Sequence, residues 1–262
     1  MIELVSSIST SSVPELGQKK RYHFTLVDLK PAVIARDLII FYLLSEHGKN
    51  IRGNKSSLLV LSYIYSSHFV PSFVHQRLQE VIRALVSKLE NGDQVLEYVY
   101  IDESYRGTVL RKLKQWQQPP RADYGPAVLR EPAMRRCNRR YHILNGCKAD
   151  ERIFFDVGVV FPKDSDIKKY EPELAPLLAA YHGKAPNSRT NLCRHIDANW
   201  VVNATMIDPD WEAKKDNSAP PNMAEPPLEF PARIYGSEDL PPVGRQGTVI
   251  TQLSFTLGLV AM

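Results

Sequence analysis

The sequence has no glycine-rich turn of the G-x-G-x-x-G or G-x-G type, and it has no G-x-S-x-G motif. A turn of the first type supplies backbone N–H groups to the phosphates of a bound nucleotide. The G-x-S-x-G motif places a nucleophilic serine on a sharp turn between a strand and a helix. The sequence therefore offers neither a complete dinucleotide-binding loop nor a serine hydrolase site of this design.

Cysteine is also scarce, since the chain has only Cys137, Cys147 and Cys193. An odd and small number of cysteines does not build a disulfide framework. The start, MIELVSSISTSS, has neither the basic region nor the apolar run of a secretory leader. The most apolar stretches, LIIFYLL and SSLLVLSYIY, are shorter than the roughly 20 residues that span a bilayer. These features predict a soluble, cytoplasmic protein without a membrane partner.

Charge and composition are those of a globular protein, with 24% charged and 44% hydrophobic residues. The net charge of +4 is too small to favour nucleic acid as a partner. The pattern divides the chain into a flexible, Ser-rich N-terminal segment (1–21), an α/β domain (22–215) and a C-terminal segment (216–262). The last of these is rich in proline and closes on a short apolar stretch.

Residues 23–44, HFTLVDLKPAVIARDLIIFYLL, have the form of half a nucleotide-binding unit. An apolar strand leads into Asp28, and Pro31 opens a helix. Ligands of doubly wound α/β folds bind beyond the carboxyl ends of the strands, so Asp28 is a candidate to contact the ribose of S-adenosylmethionine. Alternatively, Asp28 only ends the strand and caps the helix. Because the glycine turn is missing, we favour the structural role and expect no cofactor.

Helical spacing of apolar residues is clearest between residues 72 and 116. Ser72 is predicted to cap a helix that ends at Asn91-Gly92, and a second helix is predicted over 103–116. The first of these helices has one apolar stripe, formed by Val74, Leu78, Val81, Leu85 and Leu89. Segment 55–69 fits a helix or a strand, and we favour a helix. Further helices are predicted from Glu171 and from Ser188, and 152–162 reads as a strand or a buried connector.

Soft metal ligands are present but poorly spaced. They are Cys137, His142, Cys147, Cys193 and His195. A structural zinc site normally has two pairs of ligands, each with members two to four residues apart. Here only Cys193 and His195 form such a pair, and a buried cysteine often acts as a small hydrophobic residue. We therefore predict no metal site.

A basic run lies in LREPAMRRCNRRYH, where Arg130 is followed by Arg135, Arg136, Arg139 and Arg140. Tyr141 and His142 adjoin it, so contact with RNA is one interpretation. The other is a solvated charged surface, because Glu131 and Asp150 flank the run. The last four arginines are the candidate nucleic-acid-binding residues, although we do not expect nucleic acid to be the main partner.

Four stretches together resemble a known family: YHFTLVDLKPAVIARDLIIFYLL, VPSFVHQRLQEVIRALVSKLE, KKYEPELAPLLAAYH and WVVNATMIDPDW. They are similar to a fungal family of uncharacterised domains, often joined to a MYND-type zinc finger. That family is itself similar to the N-terminal domain of axonemal dynein assembly factor 3. The resemblance runs from about Tyr22 to Trp211, and the chain lacks the cysteine array of a MYND finger.

The resemblance implies an α/β, helix-rich, Rossmann-like (class I methyltransferase-like) fold. That fold would be incomplete as given, since residues 1–21 match neither the strand nor the glycine turn that precede HFTLVDL in fuller members. The implied function is a non-catalytic intracellular module for protein interaction or assembly, with protein partners not yet identified. Two alternatives stay open, a methyltransferase that uses S-adenosylmethionine through Asp28, and a protein that contacts RNA through the basic run.

Overall fold

The structure is a computed structural model in which helices predominate. The residues that it describes are 2–8, 20–26, 30–49, 55–97, 99–119, 125–130, 153, 156–159, 161–162 and 164–207. Two small antiparallel sheets accompany the helices. The prediction that the fold is rich in helix and contains strands is therefore confirmed at this coarse level.

The larger sheet consists of β1 (Ile2–Ile8), β2 (Lys20–Leu26) and β4 (Val99–Ile101) in the order β2-β1-β4. Both pairings are antiparallel, with Ile2 opposite Leu26 on one side and Ile101 on the other. The strand predicted near residue 23 is present as β2, but β1 lies in the segment that was expected to be flexible. A short connection between adjacent strands permits only antiparallel pairing, whereas parallel strands need a crossover. The parallel sheet of a Rossmann-like fold is not confirmed.

Two helices follow β2, and both are largely buried. Helix α1 (Pro31–Lys49) begins at the predicted proline, and Leu38, Ile39 and Leu43 are fully enclosed. Helix α2 (Lys55–Ser66) confirms the preference for a helix over 55–69. In α2 the hydroxyls of Ser62 and Ser66 donate to the carbonyls four residues earlier, at 2.7 and 2.6 Å. These bonds satisfy the hydroxyls of both buried serines within the apolar core.

Helices α3 (Ser72–Glu90) and α4 (Glu103–Trp116) match their predicted spans, and the whole predicted stripe of α3 is buried. The prediction that Ser72 is the N-cap of α3 is wrong. Pro71 occupies the cap position, and the Ser72 hydroxyl donates instead to the carbonyl of Asn199 at 2.8 Å. The predicted end is confirmed, because Asn91 caps the helix and Gly92 adopts a φ of 75°.

The last described part consists of α5 (Asp164–Tyr170), α6 (Leu174–His182), α7 (Ser188–Asn199) and β5 (Trp200–Val202). Strand β5 pairs antiparallel with β3 (Phe69–Pro71), which brings the end of this region against the α2–α3 junction. Before α5, the described residues of 152–162 include none in a strand, and Ile153, Val157, Val159 and Phe161 are buried. The connector interpretation of that stretch is therefore favoured.

The helix predicted from Glu171 begins later, at Leu174. Glu171 instead lies in the turn after α5, where its N–H donates to the carbonyl of Ile167 and its carbonyl accepts from Leu174. Proline at position 172 suits a helix start, and the predicted helix is present three residues further along than expected. This turn places the Glu171 side chain against β5.

Candidate functional site

The predicted site residues Asp28, Arg135, Arg136, Arg139 and Arg140 lie outside the described residues, as do Cys137, His142 and Cys147. Their roles therefore stay predictions. Within the described ranges, no three His, Cys, Asp or Glu side chains converge in a way that could hold a metal ion. Nor does any helix described there have the length and apolar character needed to cross a membrane.

Arg130, the first arginine of the basic run, forms a structural ion pair. Its two terminal nitrogens donate to the two carboxylate oxygens of Asp197 in α7, at 2.6 and 2.9 Å. The side chains are 18% and 25% exposed, and a two-pronged contact of this kind is among the stronger polar interactions. Arg130 also donates to the carbonyl of Cys193 at 3.3 Å. This arginine therefore joins residues 125–130 to α7.

Cys193 and His195 do not form a ligand pair. Residues two apart on a helix point to different sides, and both residues lie in α7. Burial raises the pKa of the half-buried Cys193 thiol, which disfavours the thiolate needed for metal binding or nucleophilic attack. Burial also lowers the pKa of His195, whose Nδ1 lies 3.2 Å from the side-chain nitrogen of Asn199.

Asn203 follows β5, and both the nitrogen and the oxygen of its buried side-chain amide are hydrogen-bonded. The amide nitrogen donates to the carbonyls of Ile64 and Ser67, at 3.0 and 2.8 Å. The amide oxygen accepts from the N–H of Thr205 at 3.1 Å and from its hydroxyl at 2.7 Å. A buried amide with this many partners ties the end of α2 to the chain after β5. Asn203 therefore acts as a structural bridge.

The carboxyl group of Glu171 lies in different surroundings. Its Oε1 accepts a hydrogen bond from the indole nitrogen of Trp200 at 2.9 Å. Burial raises the pKa of Glu171 to about 7, and the indole bond offsets this only in part. The residue is nevertheless only half-buried, so solvent reaches it. A carboxyl that titrates near neutral pH at a partly open position is a candidate functional group.

The Trp200 indole that donates to this carboxyl belongs to a connected set of aromatic rings. We define the Glu171 cluster as Glu171 together with the packed rings of Tyr63, Phe73, Phe161, Tyr170 and Trp200. The Trp200 ring meets those of Tyr63 and Phe161 edge to face, with centroids 5.9 and 5.6 Å apart. Edge-to-face packing of this kind fixes the orientation of each ring.

The rings of the cluster form an inner and an outer group. Tyr63, Phe161 and Trp200 are buried, whereas Phe73 and Tyr170 are half-buried and stack on each other at 5.0 Å. Burial, together with the nearby carboxylates of Glu171 and Asp166, raises the pKa of the Tyr63 hydroxyl well above its ordinary value. Tyr63 therefore stays neutral, and Glu171 is the group of the cluster whose pKa lies near neutral pH.

Comparison with known protein families gives one match. A family model described as a domain of unknown function (DUF4470) matches residues 3–70. The matched part contains β1, β2, α1 and α2 and reaches into β3, and it is about a quarter of the chain. It also includes most of segment 1–21, which the resemblance noted above did not cover. Neither the curated proteins nor the solved structures give a match.

The sequence contained only a weak signal for the Glu171 cluster. Glu171 is followed by proline, which is the usual pattern of a helix start, and its partner Trp200 lies 29 positions away along the chain. The useful signal is the tyrosine beside an acid in KKYEPEL, combined with the tryptophan that opens the strand in NWVVN. Neither feature identifies a site without the pairing of β3 with β5.

Proposed function

We propose that this chain is a non-catalytic module for protein interaction or assembly. The observation that carries the proposal is the Glu171 cluster, in which one half-buried acid adjoins packed aromatic rings. Aromatic residues beside a few well-placed polar groups are typical of binding surfaces. A general acid or base must lie within hydrogen-bond reach of a reacting substrate atom, whereas Oε1 of this acid is hydrogen-bonded to the Trp200 indole.

The assembly role comes from the likeness to the fungal domains and to the dynein assembly factor, and it is a fold-level analogy. A cytoplasmic location is part of the same proposal and comes from the low cysteine content. A Rossmann-like fold stays a prediction. The antiparallel pairing of β1 with β2 and β4 weighs against it, because the nucleoside site of such folds lies at the ends of parallel strands.

Affinity capture with the full chain as bait tests the interaction role. The bait is compared with its Glu171→Arg variant, which reverses the charge in the cluster, and with Glu173→Arg, which makes the same change at an exposed position. We expect a partner to be retained by the original chain and by Glu173→Arg, and to be lost with Glu171→Arg. Identical captured proteins for all three baits would count against the cluster as the binding surface.

Calorimetry with S-adenosylmethionine tests the enzymatic alternative. We expect no heat of binding and no rise in melting temperature at millimolar ligand. Micromolar binding that disappears in Asp28→Ala would establish the methyltransferase interpretation instead. The same protein preparation serves both experiments, so a folded sample is verified once by circular dichroism.

A further inference from the structure

Asn91 and Gly92 form the turn that closes α3, and both residues are exposed. This dipeptide is chemically labile, because glycine has no side chain to keep its backbone nitrogen away from the amide of the preceding asparagine. Asparagine is one of the residues that limit the chemical lifetime of proteins. Among the residues that the structure describes, none is hydrogen-bonded to the Asn91 side chain, so its amide is open to reaction.

The turn is a Schellman motif in which Gly92 has the left-handed conformation, with a φ of 75°. The N–H of Asp93 donates to the carbonyl of Lys88 at 2.9 Å. The N–H of Gly92 makes a longer bond, at 3.4 Å to the carbonyl of Leu89. The Gly92 nitrogen is therefore held less firmly than its neighbour in the turn.

The backbone of Asn91 keeps this nitrogen away from the side-chain amide while the turn is closed. Closure of a ring joins the Gly92 nitrogen to Cγ of Asn91, so that nitrogen and Cβ must lie on the same side of the Cα–C bond. The ψ of −4° instead places the nitrogen beside the backbone nitrogen of Asn91 itself. Reaction therefore requires the last turn of α3 to open, as helix ends do at small cost in free energy.

Arg106 in α4 holds this turn closed. Its Nη2 donates to the carbonyls of Gly92 and Asp93, at 3.5 and 3.2 Å. The side chain is 21% exposed, and its ion pair with Glu103 is longer, at 3.7 Å. Opening of the turn breaks the bonds from Arg106 to both carbonyls.

We propose that Asn91 is a site of spontaneous deamidation, and that Arg106 limits the rate by holding the turn closed. The Gly92 nitrogen bonds to Cγ of Asn91, and the side-chain amide leaves as ammonia together with the proton of that nitrogen. The product is a succinimide. Water then adds to either carbonyl of the ring and opens it to an aspartate or an isoaspartate at position 91. Because the attacking nitrogen must lose its proton, the rate rises with pH.

Either product adds a negative charge at the carboxyl end of α3. The last carbonyls of a helix carry a partial negative charge, so a new carboxylate there is unfavourable. The charge also lies between Glu90, which pairs with Lys114 at 2.6 Å, and the exposed Asp93. Isoaspartate in addition inserts a methylene group into the main chain, which displaces the carbonyls of Gly92 and Asp93 from Arg106.

The test incubates the full chain at pH 6, 7 and 8 and follows each asparagine by peptide mapping and mass spectrometry, with an unincubated sample as the blank. The same chain in urea gives the rate of each asparagine without the fold. Asn187 is the internal control. It is also exposed, but the nitrogen that follows it belongs to the buried Ser188 and donates to the carbonyl of Ala185 at 3.1 Å. We expect Asn91 to convert in the folded chain, faster at pH 8 than at pH 6, and Asn187 to stay unmodified.

Two variants test the role of Arg106. Arg106→Gln removes the guanidinium, and Arg111→Gln makes the same change at an exposed position of α4. Loss of the bonds to both carbonyls should speed the deamidation of Asn91 about fivefold in Arg106→Gln. Arg111→Gln should leave the rate unchanged. Measuring Asn187 in the same sample separates a local opening from general unfolding, since only the latter speeds both residues.

Two results would overturn the inference. The site is wrong if Asn91 stays intact in the folded chain while it converts in urea, or if it converts no faster than Asn187 after each rate is divided by its rate in urea. The role of Arg106 is wrong if Arg106→Gln leaves the rate unchanged or speeds Asn187 equally. The comparison on the unaltered chain does not depend on the folding of any variant.

Discussion

Replacing Glu171 by glutamine should stabilise the protein at neutral and alkaline pH. Glutamine has nearly the same shape as glutamate, and its amide oxygen can accept the hydrogen bond from Trp200 that the carboxylate accepts at 2.9 Å. What the substitution removes is the negative charge, which burial disfavours. The prediction therefore isolates the cost of ionising this acid from the cost of losing a hydrogen bond.

The pKa of Glu171 gives the magnitude and the sign. Its pKa is about 7 in the folded chain and 4.5 ordinarily. A difference of one in pKa between the folded and unfolded states corresponds to about 1.4 kcal/mol of stability. Well below pH 4.5 the group is protonated in both the folded and the unfolded chain, so its burial does not lower the free energy of unfolding. As pH rises from 4.5 to 7, the unfolded chain ionises while the folded chain stays protonated, so the free energy of unfolding falls by up to about 3 kcal/mol. Because Glu171 is only half-buried, we expect about 2 kcal/mol after screening by solvent.

Urea unfolding followed by circular dichroism measures this effect. The original chain and Glu171→Gln are compared at pH 4.5, 6, 7 and 8, with Glu173→Gln as the exposed control. The free energy of unfolding should be similar for all proteins at pH 4.5, and Glu171→Gln should exceed the others by about 2 kcal/mol at pH 8. A difference that does not change with pH, or a less stable Glu171→Gln at pH 8, would refute the reasoning.

Two further predictions concern the polar contacts that hold the last helices in place. Asn203→Ala removes the amide that donates to the carbonyls of Ile64 and Ser67. It should lower the free energy of unfolding, measured by urea titration, by at least about 2 kcal/mol. A loss below about 0.5 kcal/mol would contradict the bridging role. Arg130→Ala should lower the free energy of unfolding by about 1 kcal/mol, because its ion pair with Asp197 is partly exposed. In a double-mutant cycle, the variant that also carries Asp197→Ala should be only slightly less stable than Arg130→Ala alone. Fully additive losses would show that the two side chains do not interact.

Helix positions could be predicted from the sequence because they depend on local spacing. The stripe from Val74 to Leu89 needs only one helix and one apolar environment, and all of it is buried in α3. The cap at Ser72 was wrong for a non-local reason. Its hydroxyl is taken by the carbonyl of Asn199, which arrives there through the pairing of β3 with β5. A contact between residues 127 positions apart cannot be predicted from the local sequence pattern.

The sheet could not be predicted in the same way. The segment IELVSSI is short and partly polar, so it resembles a flexible lead-in, yet it pairs with both β2 and β4 as β1. Strand pairing depends on partners that are distant in sequence. The Glu171 cluster has the same origin, because its rings come from elements as distant in sequence as α2, α3 and β5. Asp28 and the four arginines of the basic run stay predictions, and salt-dependent RNA binding that is lost with those arginines would test the latter.

The central claim is that burial beside Trp200 makes Glu171 ionise near neutral pH. Direct titration of its side-chain carboxyl carbon by carbon-13 NMR tests this claim without any substitution. The midpoint should lie near pH 7, and the Trp200 indole N–H should shift with the same midpoint because the two groups are hydrogen-bonded. A midpoint near 4.5, or an indole signal that does not follow the carboxyl group, would contradict the account.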